Sequence, residues 1–329
     1  MSARLLVATA IEVLRADPES GAIAPVEGLD GVRPTNLAAD PRVAARAWCT
    51  THRGGVFRSE DGGTTWTARG LEGERLMSIA ASPAELDLVW AGAEPSTVWR
   101  SEDAGRTWER TSALETLPSS PEWAFPPRPD THHVRWIACH PTDPGRLWVA
   151  IEAGALISTR DGGETWSDRV PGGPYDTHEL AVHAGAPDVL RSAAGDGYFE
   201  SRDGGARWTS PGQGLAVDYL RSVAIDPGDS EVTVVSAAPH PRVAYGAGSG
   251  EGSVYRRAAA DPWERVLDGW PDPPSTIAPL LIPGRASGEF WAADERGVHG
   301  SRDGGKSWRR VCAFETTPQY LRGLALVDV

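Results

Sequence analysis

The chain is written in short apolar runs, each closed by a turn rich in Pro, Asp or Gly, and the runs recur in one fixed order. Residues 134–170 show the order most plainly. VRWIACHPTDP is an apolar strand ending in a Pro/Asp turn, RLWVAIEAG a second strand, ALISTRDGG a third entering an Asp-Gly-Gly turn, and ETWSDRV a fourth that opens near Trp166. Short strands separated by turn residues at even spacing predict an all-β array, and four strands per unit predict a propeller blade.

Five stretches repeat the third-to-fourth strand turn: SEDGGTTW at 59–66, SEDAGRTW at 101–108, TRDGGETW at 159–166, SRDGGARW at 201–208 and SRDGGKSW at 301–308. Self-similarity of this kind marks a repeat fold. The Asp residues stand at 61, 103, 161, 203 and 303, so the gaps are 42, 58, 42 and 100. The last gap holds a degenerate copy. LRSVAIDPGDS at 220–230 matches a first strand and its turn, and SVYRRAAADPW at 253–263 replaces the Asp turn but keeps the Trp. At the C-terminal end LRGLALV, 321–327, matches another first strand, and runs at 4–10, 12–17 and 23–26 supply the strands that follow it.

The two termini are therefore expected to share one blade, and closing the ring removes exposed strand edges. The expected fold is all-β: a single domain over 1–329, a seven-bladed β-propeller of four-stranded blades. The blades are placed at 320–329 plus 3–30, 35–70, 75–111, 134–170, 177–210, 219–266 and 276–311, with an inserted interblade loop at 112–133.

The Asp turn has a local purpose. Its carboxylate accepts turn N–H bonds, the Gly pair permits positive φ, and the hydroxyl two residues earlier bonds locally. The Trp then covers apolar area between blades. Asp61, Asp103, Asp161, Asp203 and Asp303 are accordingly assigned to structure rather than catalysis.

SEDGGTTW and its copies resemble the Asp-box, or BNR, repeat of sialidases, sortilin-type receptors and propellers similar to photosystem II assembly factors. The resemblance covers most of the chain, through five motif copies and the degenerate blade. It implies blade architecture, with the Asp box at the third-to-fourth strand turn, away from the ligand face. It implies no single activity, because the family spans hydrolases and pure binding proteins.

Connections alternate between the two ends of a propeller. One end is tight throughout, with turns at 40–41, 140–143 and 226–229 and all the Asp turns. The other end receives the long insertions at 112–133, 237–252 and 267–275. Long loops gathered on one face of a rigid scaffold predict a binding surface there.

Aligned first strands place Arg135, His178, Arg221 and Arg322 at equivalent positions, with His133, Asp176, Tyr219 and Tyr320 two residues earlier. Side chains two apart on a strand share a side. The second-to-third strand loops add His52, Glu94, Glu152, Asp196 and His240. Three Arg at matching positions can clamp a carboxylate or phosphate bidentately; the competing expectation pairs each with an acid of the neighbouring blade.

With Tyr219, Tyr320 and Glu152, the three Arg resemble the arginine triad, tyrosine and glutamate of sialidases. The chain departs from that family in lacking a Phe-Arg-Ile-Pro-like motif and an acid/base Asp loop, and in having seven blades rather than six. Glu152, His178, His133, Tyr219 and Tyr320 are the candidate catalytic groups. Arg135, Arg221, Arg322, His52, Glu94 and His240 are the candidate ligand-binding groups.

No cofactor is required by any motif, but His133, His178 and His240 are candidate ligands for a divalent metal at the channel mouth. For each histidine alone, a surface or hydrogen-bonded structural use is the competing expectation. His140 and His183 fall on the tight end and receive no role, and His132 belongs either to the loop or to the site. Trp123 and Phe125 either cover the pocket or pack the loop on the rim.

The net charge of −13 argues against nonspecific binding to nucleic acid or to an anionic membrane. Three widely separated Cys without metal-type spacing favour reduced thiols and a cytoplasmic setting. The apolar run at 5–14 is short and broken by Glu12, a strand rather than a signal peptide. The expected function is binding of a small anionic ligand, in preference to a protein, at the loop-rich mouth. Acid–base or metal-assisted hydrolase or lyase chemistry is the enzymatic version. A sialidase-like glycoside hydrolase and a non-catalytic protein-binding scaffold or assembly factor are the alternatives.

Overall fold

Each repeat unit closes on itself as one antiparallel sheet, because its short turns leave successive runs no partner nearer than each other. The computed structural model describes residues 3–329 other than Ala247, Ser249 and Pro273, which lie within the predicted mouth loops 237–252 and 267–275. Seven sheets result. The closing sheet orders Leu321–Asp328, Ala3–Thr9, Val13–Ala16 and Ile23–Pro25, so strands from both ends of the chain share it.

Next in the ring come the sheets that begin with Pro34–Ala39, Arg75–Ala81, Val134–Cys139, Thr177–His183, Tyr219–Asp226 and Leu280–Pro283. In the fourth and fifth of the seven, the outermost strand is reduced to single bridges, Ser158 to Ser167 and Glu200 to Thr209. The protein is a seven-bladed β-propeller with almost no helix. Among the described residues, no helix is long and apolar enough to cross a membrane.

Among the described residues, seven apolar clusters each lie between one blade and the next, and a small eighth of Ala238, Ala244 and Ala278 packs at the short helix Pro241–Tyr245. Leu6, Ala8 and Val13 of the closing blade meet Leu37, Ala47 and Trp66 of the following one, and Leu5 and Val7 meet Trp291 and Val298 on the other side. The remaining interfaces are built alike, with Trp48, Trp90 and Trp148 of the second strands buried in them. Burial of side chains this large dominates each interface. The three Cys are free thiols.

The five Asp turns share one bonding scheme. In the first, Ser59 Oγ donates to Asp61 at 2.8 Å, and the Thr64 and Thr65 amides donate to the same carboxylate at 2.9 Å. The Gly63 amide donates back to Ser59 Oγ. Gly63 sits at φ 83°, and a Cβ there would meet Leu6 of the preceding blade at 2.3 Å, so glycine lets the turn dock on its neighbour. Ala104, standing where the other turns have glycine, is held at φ 58°.

These bonds depress acidity. Donors from Thr107 and Thr165 hold Asp103 and Asp161 at about 2. Thr65 and Ser307 overcome burial to lower Asp61 and Asp303, and the Arg207 amide lowers Asp203. A carboxylate depressed in the folded state contributes stability above its unfolded value of about 4 and loses it as the pH falls through its folded value. The melting temperature is therefore expected to drop steeply below about pH 4. In scanning calorimetry, Asp103→Asn should show a shallower drop; an unchanged slope would contradict the assignment.

Candidate functional site

A backbone irregularity places the site. The first strand of six blades shifts register at the same point, where Thr35, Met77, Arg135, His178, Arg221 and Arg322 have no opposite residue. A bulge leaves its extra residue out of the ladder and re-aims its side chain. The aligned positions read from the sequence are thus a ring of bulges at the loop-rich end of the channel.

Three of the four blades that supply this ring with polar pairs bring them to one cluster. His133 Nε2 donates to Glu152 Oε2 at 2.6 Å, and Arg135 Nε lies 3.5 Å from the same oxygen. His178 Nε2 lies 3.9 Å from Glu152 Oε1, 3.7 Å from Asp176 Oδ2 and 3.4 Å from the Tyr219 hydroxyl. Tyr219 reaches on to the Tyr245 hydroxyl at 3.3 Å. His178 Nδ1 is 2.5 Å from the Leu220 carbonyl oxygen. A carbonyl only accepts, so Nδ1 carries the hydrogen, and the lone pair of the neutral ring lies on Nε2.

The two carboxyls are driven apart. Burial opposes ionisation of Glu152, but the His133 bond and the Arg135 charge override it and hold the group at about 2. Asp176 goes up, chiefly through burial, with the charge of Glu152 adding to it. The Glu152 charge likewise outweighs burial to raise Arg135.

The predicted three-arginine clamp does not form. Arg221 is buried and spends its guanidinium on the Ala278 and Leu321 carbonyls, at 2.6 and 2.7 Å, with Tyr245 stacked on it at 4.6 Å. Burial, beside the charges of Arg135 and Arg322, pushes it down to about 10. It ties three blades together and has no fork left for a ligand. Arg135 is paired with Glu152. Arg322 alone is open to solvent with no hydrogen bond or ion pair among the described residues, and it stacks on Tyr320 at 5.6 Å.

The predicted three-histidine metal set does not assemble either. His240 is exposed at the start of the short helix Pro241–Tyr245, where its carbonyl accepts the Val243 and Ala244 amides. Among the described residues, the one group of three donor side chains within 4.8 Å is Glu152, Asp176 and His178.

The other candidates lie around the rim. Glu94 is buried between Arg75 and Arg128, the latter reaching down from the 112–133 insertion. His52, lowered by burial and by Arg75, has no bond to the cluster. Asp196 accepts the Tyr175 and Asp176 amides. In the insertion, Trp123 is buried and bonded to Ser119, while Phe125 stands edge-on to His133 at 4.9 Å. His132 accepts the Ser96 amide, and His140 accepts turn amides at the tight end. Tyr320 is exposed.

One residue further along the same strands lies a small cavity of about 20 Å³, room for about one water molecule, lined by Asn36, Trp136, Glu179 and Arg322 among others. Glu179, fully inside, accepts a bond from Ser222, and burial pushes it up to about 8. Sequence reasoning passed over Glu179 and Tyr245. Glu179 follows His178 and so stands on the strand already singled out; Tyr245 carried no signal, since only the fold of the loop brings it to Arg221.

No protein-family model and no curated protein sequence matches the chain. Its fold is similar to that of the GH74 enzyme of Niastella koreensis, at 16% identity and TM-score 0.71, over 93% of this chain and 52% of that one. The GH74 xyloglucanase from Xanthomonas campestris gives 16% identity and TM-score 0.68, over 98% and 52%. YCF48 bound to a D1 peptide gives 18% and 0.58, over 84% and 80%. The chain spans about half the length of the two GH74 enzymes. At such identities the likeness shows the fold, one shared by enzymes and by a protein solved with a peptide.

Glu179 generates a test of the channel's interior. A carboxyl raised in the folded state contributes stability below its unfolded value and loses it as the pH rises through its folded value. The melting temperature should therefore decline between about pH 5 and about pH 8, and Glu179→Gln should flatten that decline in a fluorimetric pH series.

Proposed function

We propose that the loop-rich mouth binds a small anionic ligand and that Glu152, Asp176 and His178 carry out acid–base chemistry on it. The observation that carries this reading is the placement of Glu152 and Asp176 on either side of His178 Nε2, with the first carboxyl shifted down and the second up. Titratable neighbours pushed in opposite directions are how a site supplies a base and an acid at one pH. Glu152, held low, is suited to act as nucleophile or to stabilise positive charge, and Asp176, shifted upward, is the better placed of the two to hand over a proton.

Arg322, unpaired and open at the same end, is the anchor for the anion. Two carboxylates flanking a bond suit glycoside hydrolysis, and the GH74 likeness adds to that by analogy of fold only. The sialidase-like version is weakened because Arg221 has no free fork.

A second reading is a protein-binding face. Four large apolar side chains stand exposed at the loop-rich end: Ile11, Tyr175, Leu267 and Tyr320. A scaffold of this kind needs no chemistry at Asp176.

The ligand reading is tested by thermal-shift titration with phosphate, malonate and succinate. Stabilisation is expected, lost in Arg322→Ala and kept in Arg160→Ala at the tight end. Fluorogenic sialosides and β-glucosides test the chemistry, where Asp176→Asn should lower any turnover by about 10²–10⁴-fold. No shift with any anion and no turnover would favour the protein-binding face.

A further inference from the structure

Glu152, Asp176 and His178 each spend one polar atom on a partner behind them and turn the other inward. Glu152 Oε2 accepts from His133 at 2.6 Å, Asp176 Oδ1 accepts the Ala153 amide at 2.7 Å, and His178 Nδ1 donates to the Leu220 carbonyl at 2.5 Å. The inward atoms are Glu152 Oε1, Asp176 Oδ2 and His178 Nε2, with the imidazole nitrogen 3.9 and 3.7 Å from the two oxygens. His178 is 2% exposed, and its Nε2 faces the gap with a long contact to the Tyr219 hydroxyl at 3.4 Å.

The backbone makes room for this arrangement. A Cβ on Gly195 would stand 2.1 Å from Asp176 Oδ2 and 3.3 Å from His178, so glycine leaves that oxygen free to face the ring. Arg135, the cation already beside Glu152, approaches Oε2 and leaves Oε1 to the gap.

We infer that Glu152, Asp176 and His178 form a site for a divalent transition-metal cation, open toward the channel mouth, through which the anionic ligand is held. The inference rests on the mouth being the ligand site. One imidazole with two carboxylates suits Zn²⁺ or Mn²⁺ better than the all-oxygen shells of Mg²⁺ and Ca²⁺. Each donor has its second atom fixed by an outer partner, the arrangement that orients metal ligands and sets the tautomer of the histidine. Metal–donor lengths of about 2.0–2.2 Å place the ligand atoms of a tetrahedral shell about 3.4 Å apart, so the three groups, now within 4.8 Å of one another, would draw inward on binding.

The test uses the full chain without a histidine tag, stripped with EDTA and titrated calorimetrically with Zn²⁺ and Mn²⁺. One ion per chain is expected, with affinity reduced at least about tenfold in Asp176→Asn and in His178→Gln. Gly195→Ala, which removes no ligand, should weaken binding too, and its circular dichroism checks the fold. A crystal soaked in Zn²⁺ should show an anomalous peak at His178 Nε2. Absence of saturable binding, or binding unchanged in Asp176→Asn and Gly195→Ala, overturns the site. Phosphate stabilisation that persists in EDTA and vanishes in Arg322→Ala overturns the metal's role while leaving the mouth as the ligand site. Zn²⁺ bound at the three residues without any anion effect supports the cation and overturns the anionic ligand instead.

Discussion

The pairing of Leu321–Asp328 with Ala3–Thr9 is the constraint on which the rest of the molecule depends. It joins strands from opposite ends of the chain into one sheet, placing Leu5 opposite Leu326 and Val7 opposite Leu324. Only with that sheet in place do the last and the first interblade cores both exist. Closure removes the edges that an open array would expose, and it encloses the channel. It also delivers Arg322, which lies on the closing strand, to the same ring as Arg135 and His178.

The two ends of the ring have divided their tasks. At the tight end, each Asp turn satisfies its own amides and docks on the preceding blade, as Gly63 does on Leu6. At the other end, the inner strands leave the ladder one residue at a time, and the side chains released by those bulges meet the second-to-third strand loops. The insertion at 112–133 is fastened over this end by Arg128 on Glu94 and by the Ser119 amide on Asp168, at 2.8 Å. A rigid floor and a populated mouth follow from one alternation of connections.

Charge at the mouth is arranged by burial working against pairing. Burial alone raises a carboxyl and lowers a guanidinium. Where a partner of opposite charge is close, it wins: Glu152 stays ionised between His133 and Arg135. Where the partner is neutral, burial wins, as at Glu179 beside Ser222 and at Arg221 against backbone carbonyls. Asp176 lies between these cases, and it is the group whose charge a bound cation or anion would change most readily.

The blade count, the order of strands, the sharing of one blade by both termini and the identity of the tight end were all legible in the sequence. Each is written locally, in turn chemistry such as SEDGGTTW and in a period that repeats. The alignment of Arg135, His178, Arg221 and Arg322 was legible for the same reason. What those residues do was not, because equivalent positions in sequence face different neighbours in space. Arg221 meets carbonyls from two other blades, Arg135 meets Glu152, and Arg322 stacks on Tyr320 with no ion pair among the described residues. Side-chain type and spacing determine where a residue stands on its strand; partners brought in from distant blades decide its charge, its freedom and hence its chemistry.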